Sequence, residues 1–127
     1  VRVLIVDDEV RIRVNVARVL SRRGFLMDMA GSVSEAKEML AAQKYDAALV
    51  DWQLPDGTGL EIIGLIRGSH PSTHVLMLTC REEPTDRLRA FDAGADDYVV
   101  KQDIDFEEVG SRLRAVARRR AAPPHVP

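Results

Sequence analysis

The sequence predicts an α/β fold, a doubly wound five-stranded parallel sheet with helices on both faces. Short apolar runs alternate five times with stretches of helical periodicity. Glycine or proline marks most of the junctions, and four of the five runs end on a polar side chain. Strands buried on both faces read as continuous apolar runs rather than as alternating ones, which is the signature of a parallel sheet covered by helices. Right-handed crossovers between parallel strands then fix most of the topology.

Residues 1–6 form the first apolar run, which stops at Asp7-Asp8-Glu9. Ile12, Val16, Val19 and Leu20 follow at i, i+4, i+7 and i+8, one face of a helix, with Arg11, Arg18 and Arg22 off that face. The acidic start and the basic end, Arg22-Arg23, suit the helix dipole, and Gly24 is a natural stop. Residues 25–30 are the second strand. Ser32-Val33-Ser34-Glu35 reads as a capping box opening a helix to about residue 43. The third strand covers 45–50 and ends on Asp51. Leu60, Ile62, Ile63, Leu65 and Ile66 have helical spacing, with Gly68 as the expected stop. Residues 75–78 make the fourth strand, ending on Thr79. Leu88, Phe91 and Ala95 suggest a helix over 84–93, stopped by Gly94. Residues 98–100 are the fifth strand, ending on Lys101. Phe106, Val109, Leu113, Val116 and Ala117 carry the last helix to about residue 120, and Ala121-Ala122-Pro123-Pro124 should break it and begin a linker.

With 127 residues the chain fits one domain with a single core, and its 46% hydrophobic and 30% charged composition is ordinary for a globular protein. A net charge of -2 argues against nucleic-acid binding by this segment on electrostatics alone. No apolar run approaches the roughly 18 residues of a membrane span, and no signal peptide is recognisable. Val1 already lies inside an apolar run, so a few residues are expected to precede it. Cys80 is the only cysteine, which rules out an intrachain disulfide and suits the cytoplasm. His70, His74 and His125 lack metal-ligand spacing, and neither common nucleotide-binding glycine motif is present.

In an open parallel sheet the carboxyl ends of the strands share one edge, where ligands bind. Asp7-Asp8, Asp51, Thr79 and Lys101 should therefore converge although they are far apart in sequence. Three carboxylates together repel one another, and a hard divalent cation with oxygen ligands, Mg²⁺ or Mn²⁺, relieves that. Thr79 and Lys101 could then hold the remaining oxygens of a phosphoryl group. With no nucleotide loop, the simplest acceptor is Asp51 itself, forming an acyl phosphate. Taken singly, each residue has a plainer reading: Asp7 and Asp8 as helix caps, Asp51 and Thr79 as turn residues, Lys101 as a surface charge. Only the joint placement resists that reading.

The segments L-I-V-D-D-E, L-V-D-W-Q-L-P-D-G-T-G-L-E, V-L-M-L-T and A-G-A-D-D-Y-V-V-K closely resemble the receiver domain of bacterial response regulators, over essentially residues 1–120. The resemblance implies a flavodoxin-like receiver fold with strand order 2-1-3-4-5. It implies that Asp51 accepts phosphate from a sensor histidine kinase. Asp8, Asp51 and the backbone carbonyl of Gln53 would ligate Mg²⁺ directly, with Asp7 acting mainly through water. Thr79 and Lys101 would bind phosphoryl oxygens, and Thr79 would shift on phosphorylation while Tyr98 turns inward. Such a domain is not an enzyme in the ordinary sense, but assists its own phosphorylation and dephosphorylation. Gln53 and Arg81, two residues beyond Asp51 and Thr79, are placed to influence the lifetime of the phosphate.

D-R-L-R-A-F-D-A-G-A-D-D-Y and the Arg-rich last helix look like the OmpR/PhoB class, whose effector is a winged-helix DNA-binding domain, here expected beyond residue 127. In that class the face made by the fourth helix, fifth strand and fifth helix forms a homodimer on phosphorylation. Candidate pairs across it are Arg87 with Glu108, and Asp96 or Asp97 with Arg112. Two positions depart from the family. Gln102 stands where proline usually follows the lysine, and Cys80 stands where a smaller residue is usual and could narrow access to Asp51. The alternative readings are a pseudo-receiver or stand-alone receiver acting as a protein-interaction module, and a phosphatase or phosphotransferase on a doubly wound fold.

Overall fold

The computed structural model describes residues 1–102 and 104–121. Of the linker expected at 121–127, residue Ala121 instead belongs to the last helix, and residues 122–127 lie outside the described residues. Strands β1 (Arg2–Val6), β2 (Leu26–Ala30), β3 (Ala47–Asp51), β4 (His74–Thr79) and β5 (Asp97–Val100) alternate with helices α1 (Val10–Arg22), α2 (Val33–Ala42), α3 (Gly59–Ser69), α4 (Pro84–Ala93) and α5 (Phe106–Ala121). All strand pairs are parallel and their order is β2-β1-β3-β4-β5. The chain reverses direction across the sheet between β1 and β3, the position at which open α/β sheets bind ligands.

Alternation along each strand builds two cores. Leu4, Val6, Ala48, Val50, Val75 and Met77 face α2, α3 and α4, meeting Leu40, Ile62, Ile63, Ile66 and Ala90. Val3, Ile5, Ala47, Leu49, Leu76 and Leu78 face α1 and α5, meeting Ile12, Val16, Leu20, Val109 and Leu113. Each of these side chains is essentially fully buried. Burying one such aliphatic side chain contributes about 1.5–3 kcal/mol, so the sheet is held chiefly by these two layers.

Most helix ends follow the sequence. Ser32 Oγ accepts the Glu35 N–H at 3.1 Å, and the Glu35 carboxylate contacts the same hydroxyl at 3.4 Å. Pro84 opens α4, and Gly94 closes it with φ +118°, a left-handed conformation that costs glycine nothing. Gly68 does not end α3, which runs one residue further to Ser69. In α4 the expected apolar stripe is misassigned. Ala90 is the buried residue, whereas Leu88 and Phe91 are 61% and 41% exposed.

The register places the strand ends. Val6 pairs with Val50, Asp51 with Leu78 and Thr79 with Val100. Asp7 therefore emerges beside Asp51, and Thr79 and Lys101 emerge one step beyond their partners. After Asp51 the chain makes a small antiparallel hairpin, Gln53–Leu54 against Gly57–Thr58, which sequence periodicity does not reveal. Gly59 closes it, donating its N–H to Trp52 O at 2.7 Å. A Cβ on Gly59 would lie 2.1 Å from the Asp51 carbonyl oxygen, a backbone atom that cannot move aside. Gly59→Ala is expected to destabilise the domain by about 3 kcal/mol, read as a lowered urea midpoint with an unchanged m value.

Candidate functional site

The polar strand ends do converge. Asp7, Asp51, Thr79 and Lys101 are all buried, and Asp8 is exposed at the rim. The Lys101 ammonium sits among three carboxylates: 2.7 Å from Asp7 Oδ2, 3.1 Å from Asp51 Oδ2, and 2.9 Å from Glu9 Oε1. Burial alone would lower the lysine pKa, but its close contacts with the Asp7 and Glu9 carboxylates and the charge on Asp51 outweigh it and hold the ammonium above its ordinary value. Burial first, and then the neighbouring Asp7 charge, push the Asp51 carboxyl up to about 6 against the opposing pull of Lys101.

These groups share a cleft of 480 Å³ lined by Asp8, Glu9, Asp51, Gln53, Thr79, Cys80, Arg81 and Lys101. Carboxylate oxygens of Asp7, Asp8 and Asp51 lie within 4.8 Å of one another. Asp7 Oδ2 is buried and, among the described residues, receives no aligned hydrogen bond and is compensated by the charge of Lys101. Three oxygen donors around one point, one of them unsatisfied, fit a hard divalent cation. The other oxygen, Asp7 Oδ1, accepts the Glu9 N–H at 2.9 Å, and Arg13 donates to the Asp7 carbonyl at 2.9 Å. Asp7 thus also shapes the turn into α1, although the residue at the N-cap is Glu9 and no side chain caps the helix.

Thr79 Oγ1 accepts the Arg81 N–H at 3.2 Å, and Tyr98 is buried with its hydroxyl donating to the Arg81 carbonyl at 2.7 Å. Gln102 follows Lys101 without displacing it, and its side-chain amide donates to the Cys80 carbonyl at 3.2 Å, tying this loop to the end of β4. Cys80 is exposed on the cleft wall.

The five residues expected at a dimer face have partners within the chain. Arg112 forms a forked ion pair with Asp97, at 2.7 and 2.8 Å, and reaches Glu108 at 3.0 Å. Arg87 lies over the Tyr98 ring, 5.0 Å from its centroid, rather than beside Glu108. The Asp96 carboxylate accepts the Val75 N–H at 2.8 Å and binds Arg67 of α3, and within the chain Asp97 is the one beside Arg112.

Three features were not assigned from the sequence. Glu9 is a third carboxylate on Lys101, hidden because the acidic triplet reads as a helix start. Trp52, directly after Asp51, is buried under two guanidinium groups, Arg81 at 4.7 Å and Arg89 at 5.3 Å, both of which pair with Asp86. Asp56, which reads as a turn residue between Pro55 and Gly57, reaches across to α2. Its two oxygens accept the Val33 and Ser34 N–H groups at 2.7 and 2.9 Å.

Known proteins share this sequence pattern and this fold. The family described as "Response regulator receiver domain" matches residues 3–114. This chain belongs to that family. It is 38% identical over 119 residues to the response regulator MprA of Mycobacterium tuberculosis, covering 94% of this chain and 51% of MprA. The receiver domain thus spans about half the length of the curated relatives it matches. Among solved structures, DrrB, a Thermotoga maritima OmpR/PhoB homolog, superposes with a TM-score of 0.85 at 28% identity, over 94% of this chain and 53% of DrrB. TrrA of Thermotoga maritima, solved in complex with Mg(2+)-BeF, is 31% identical with a TM-score of 0.79, over 91% of this chain and 97% of TrrA. No helix among the described residues is long and apolar enough to cross a membrane.

The raised Asp51 pKa has a stability consequence. The folded receiver keeps the Asp51 proton to about pH 6, whereas the unfolded chain loses it near 3.8. This group's contribution is therefore present below about pH 3.8 and lost as pH rises through about 6, by about 3 kcal/mol at most. Asp51→Asn should raise stability in EDTA at pH 7 by about 1–3 kcal/mol and lose that advantage near pH 4. Denaturant melts at the two pH values check this, and added Mg²⁺ should stabilise wild type more than the variant.

Proposed function

We propose that this receiver is a phosphorylation-activated switch in which Asp51 accepts a phosphoryl group from a sensor histidine kinase. The observation that carries the reading is the convergence of Asp51, Thr79 and Lys101 with Asp7 and Asp8 at one edge of the sheet. An Asp51 oxygen attacks phosphorus, the bond from phosphorus to the kinase imidazole nitrogen breaks, and the imidazole leaves with its electron pair. Asp7, Asp8, Asp51 and the backbone carbonyl of Gln53 would hold a divalent cation, for which Mg²⁺ is the natural choice and Mn²⁺ a substitute. When bound, the cation neutralises charge between these acids and the phosphoryl oxygens.

Lys101 exchanges its contact with Asp51 for a phosphoryl oxygen, moving its charge to where negative charge develops. The Thr79 hydroxyl gives up the Arg81 N–H and donates to another phosphoryl oxygen. Arg81 also holds the Tyr98 hydroxyl through its carbonyl, so this exchange reaches the face formed by α4, β5 and α5. On that face the exposed Leu88 and Phe91, with Arg87, Asp97, Glu108 and Arg112, suit a homodimer formed on phosphorylation. Dimerisation requires the Arg112 pairs within the chain to be shared with or exchanged for a partner's. The likeness to DrrB supports an OmpR/PhoB-type regulator, cytoplasmic, that controls transcription through a DNA-binding domain beyond this segment. The receiver then acts as a single-turnover acceptor rather than a multiple-turnover enzyme. The close contacts of Lys101 in spite of Gln102 favour this reading over a pseudo-receiver.

Incubation with Mg²⁺ and a small phosphodonor should add one phosphoryl group, about 80 Da by intact mass, to wild type and none to Asp51→Asn. An adduct that persists in Asp51→Asn, or none on wild type, contradicts the proposal.

A further inference from the structure

Asp56 is exposed at the tip of the hairpin that follows Asp51, away from the cleft, yet both of its oxygens are used. They accept the first free N–H groups of α2, an element 22 and 23 residues earlier in sequence. Those two hydrogen bonds hold the Asp56 carboxyl below its ordinary range. The contact is intimate. A Cβ on Gly57 would lie 3.2 Å from the Val33 side chain and 2.7 Å from Glu61 Oε1.

Traced through the chain, this latch closes a ring that contains two of the three acids. The Asp7 N–H donates to the Ala30 carbonyl at 3.0 Å. From Ala30 the chain runs three residues to Val33, whose N–H is held by Asp56. From Asp56 it returns through the Gln53–Leu54 and Gly57–Thr58 pairing to Asp51. At the other end of the hairpin Gly59 is pinned to Trp52. The main chain just after Asp51 is thus fixed at both ends, at its base by Gly59 and at its tip by Asp56, with Leu54 buried in the core between them. Gln53, on the inner edge of that hairpin, lines the cleft.

We propose that Asp56 is a positioning residue for the acidic cluster, setting the main chain after Asp51 by latching the hairpin to the N-terminus of α2. The inference rests on the cation-binding reading of Asp7, Asp8 and Asp51. Its consequence is that cation affinity depends on a side chain that touches neither the cation nor the cleft, as outer partners of ligands commonly do.

Ser32 supplies the control. Its hydroxyl caps the same helix through Glu35, and among the described residues it forms no hydrogen bond to the hairpin. Mg²⁺ and Mn²⁺ affinities of wild type, D56A, D56N and S32A should be measured by calorimetry and by Trp52 fluorescence, with metal-free thermal melts alongside. D56A should weaken Mg²⁺ binding about 10-fold, and D56N, which keeps one acceptor oxygen, about threefold. S32A should lower the melting temperature while leaving affinity within about twofold, because it frays α2 without freeing the hairpin. D56A and D56N binding Mg²⁺ like wild type overturns the proposal, as does S32A losing as much affinity as D56A. Wild type that binds neither cation overturns the cation reading itself, a different result from an unaffected D56A.

Discussion

One buried ammonium sets the terms for this domain. Lys101 lies in the protein with Asp7, Glu9 and Asp51 around it, all within 3.1 Å. Taking any one of these charges out of water alone would cost several kcal/mol, and their mutual attraction repays that only when the geometry is close. The register of the sheet provides it. Asp7, Asp51 and Lys101 each stand at or just past the end of β1, β3 and β5, which lie in the order required to bring them together. Shifting any of these strands by one residue would turn its polar end to the opposite face. The same constraint makes the site poised. Three acids with one ammonium are short of positive charge, and a cation together with a phosphoryl group is a better match than Lys101 alone.

Few atoms join the site to α4 and β5. Arg81 makes most of these contacts. Its N–H binds Thr79, its carbonyl binds Tyr98, and its guanidinium covers Trp52 and pairs with Asp86 of α4. Helix α4 buries only Ala90 and leaves Leu88 and Phe91 exposed. An element with so little buried apolar surface costs little to shift, which is the property a switch needs. A small change at Thr79 therefore has a path to α4 through Arg81 and Asp86.

Much of this was legible in the sequence because it rests on short-range regularities. The apolar runs, the helical spacing and the capping residues located all ten main elements to within a residue or two. The convergence of Asp7, Asp8, Asp51, Thr79 and Lys101 followed from parallel topology alone. What escaped depends on side-chain reach between elements. The Gln53–Leu54 and Gly57–Thr58 strands are two residues each, too short for any period. Asp56 sits in a Pro-Asp-Gly turn that fully explains its presence locally, and nothing local indicates that it caps α2. Leu88 and Phe91 carry helical spacing, but spacing cannot tell a buried face from an exposed one. Asp96 and Asp97 are adjacent acids, and only the strand's alternation sends one to Arg67 and the other to Arg112.

Lys101 stands in for the charge that the acids of the cleft require. Replacing it with methionine keeps the apolar stem and removes the ammonium from Asp7 and Asp51. Titration of Mg²⁺ into the metal-free domain measures the result. If the claim holds, Lys101→Met binds Mg²⁺ about 10-fold or more tightly than wild type, since two neighbouring carboxylates lose their counter-charge. Equal or weaker binding by a folded Lys101→Met would contradict it.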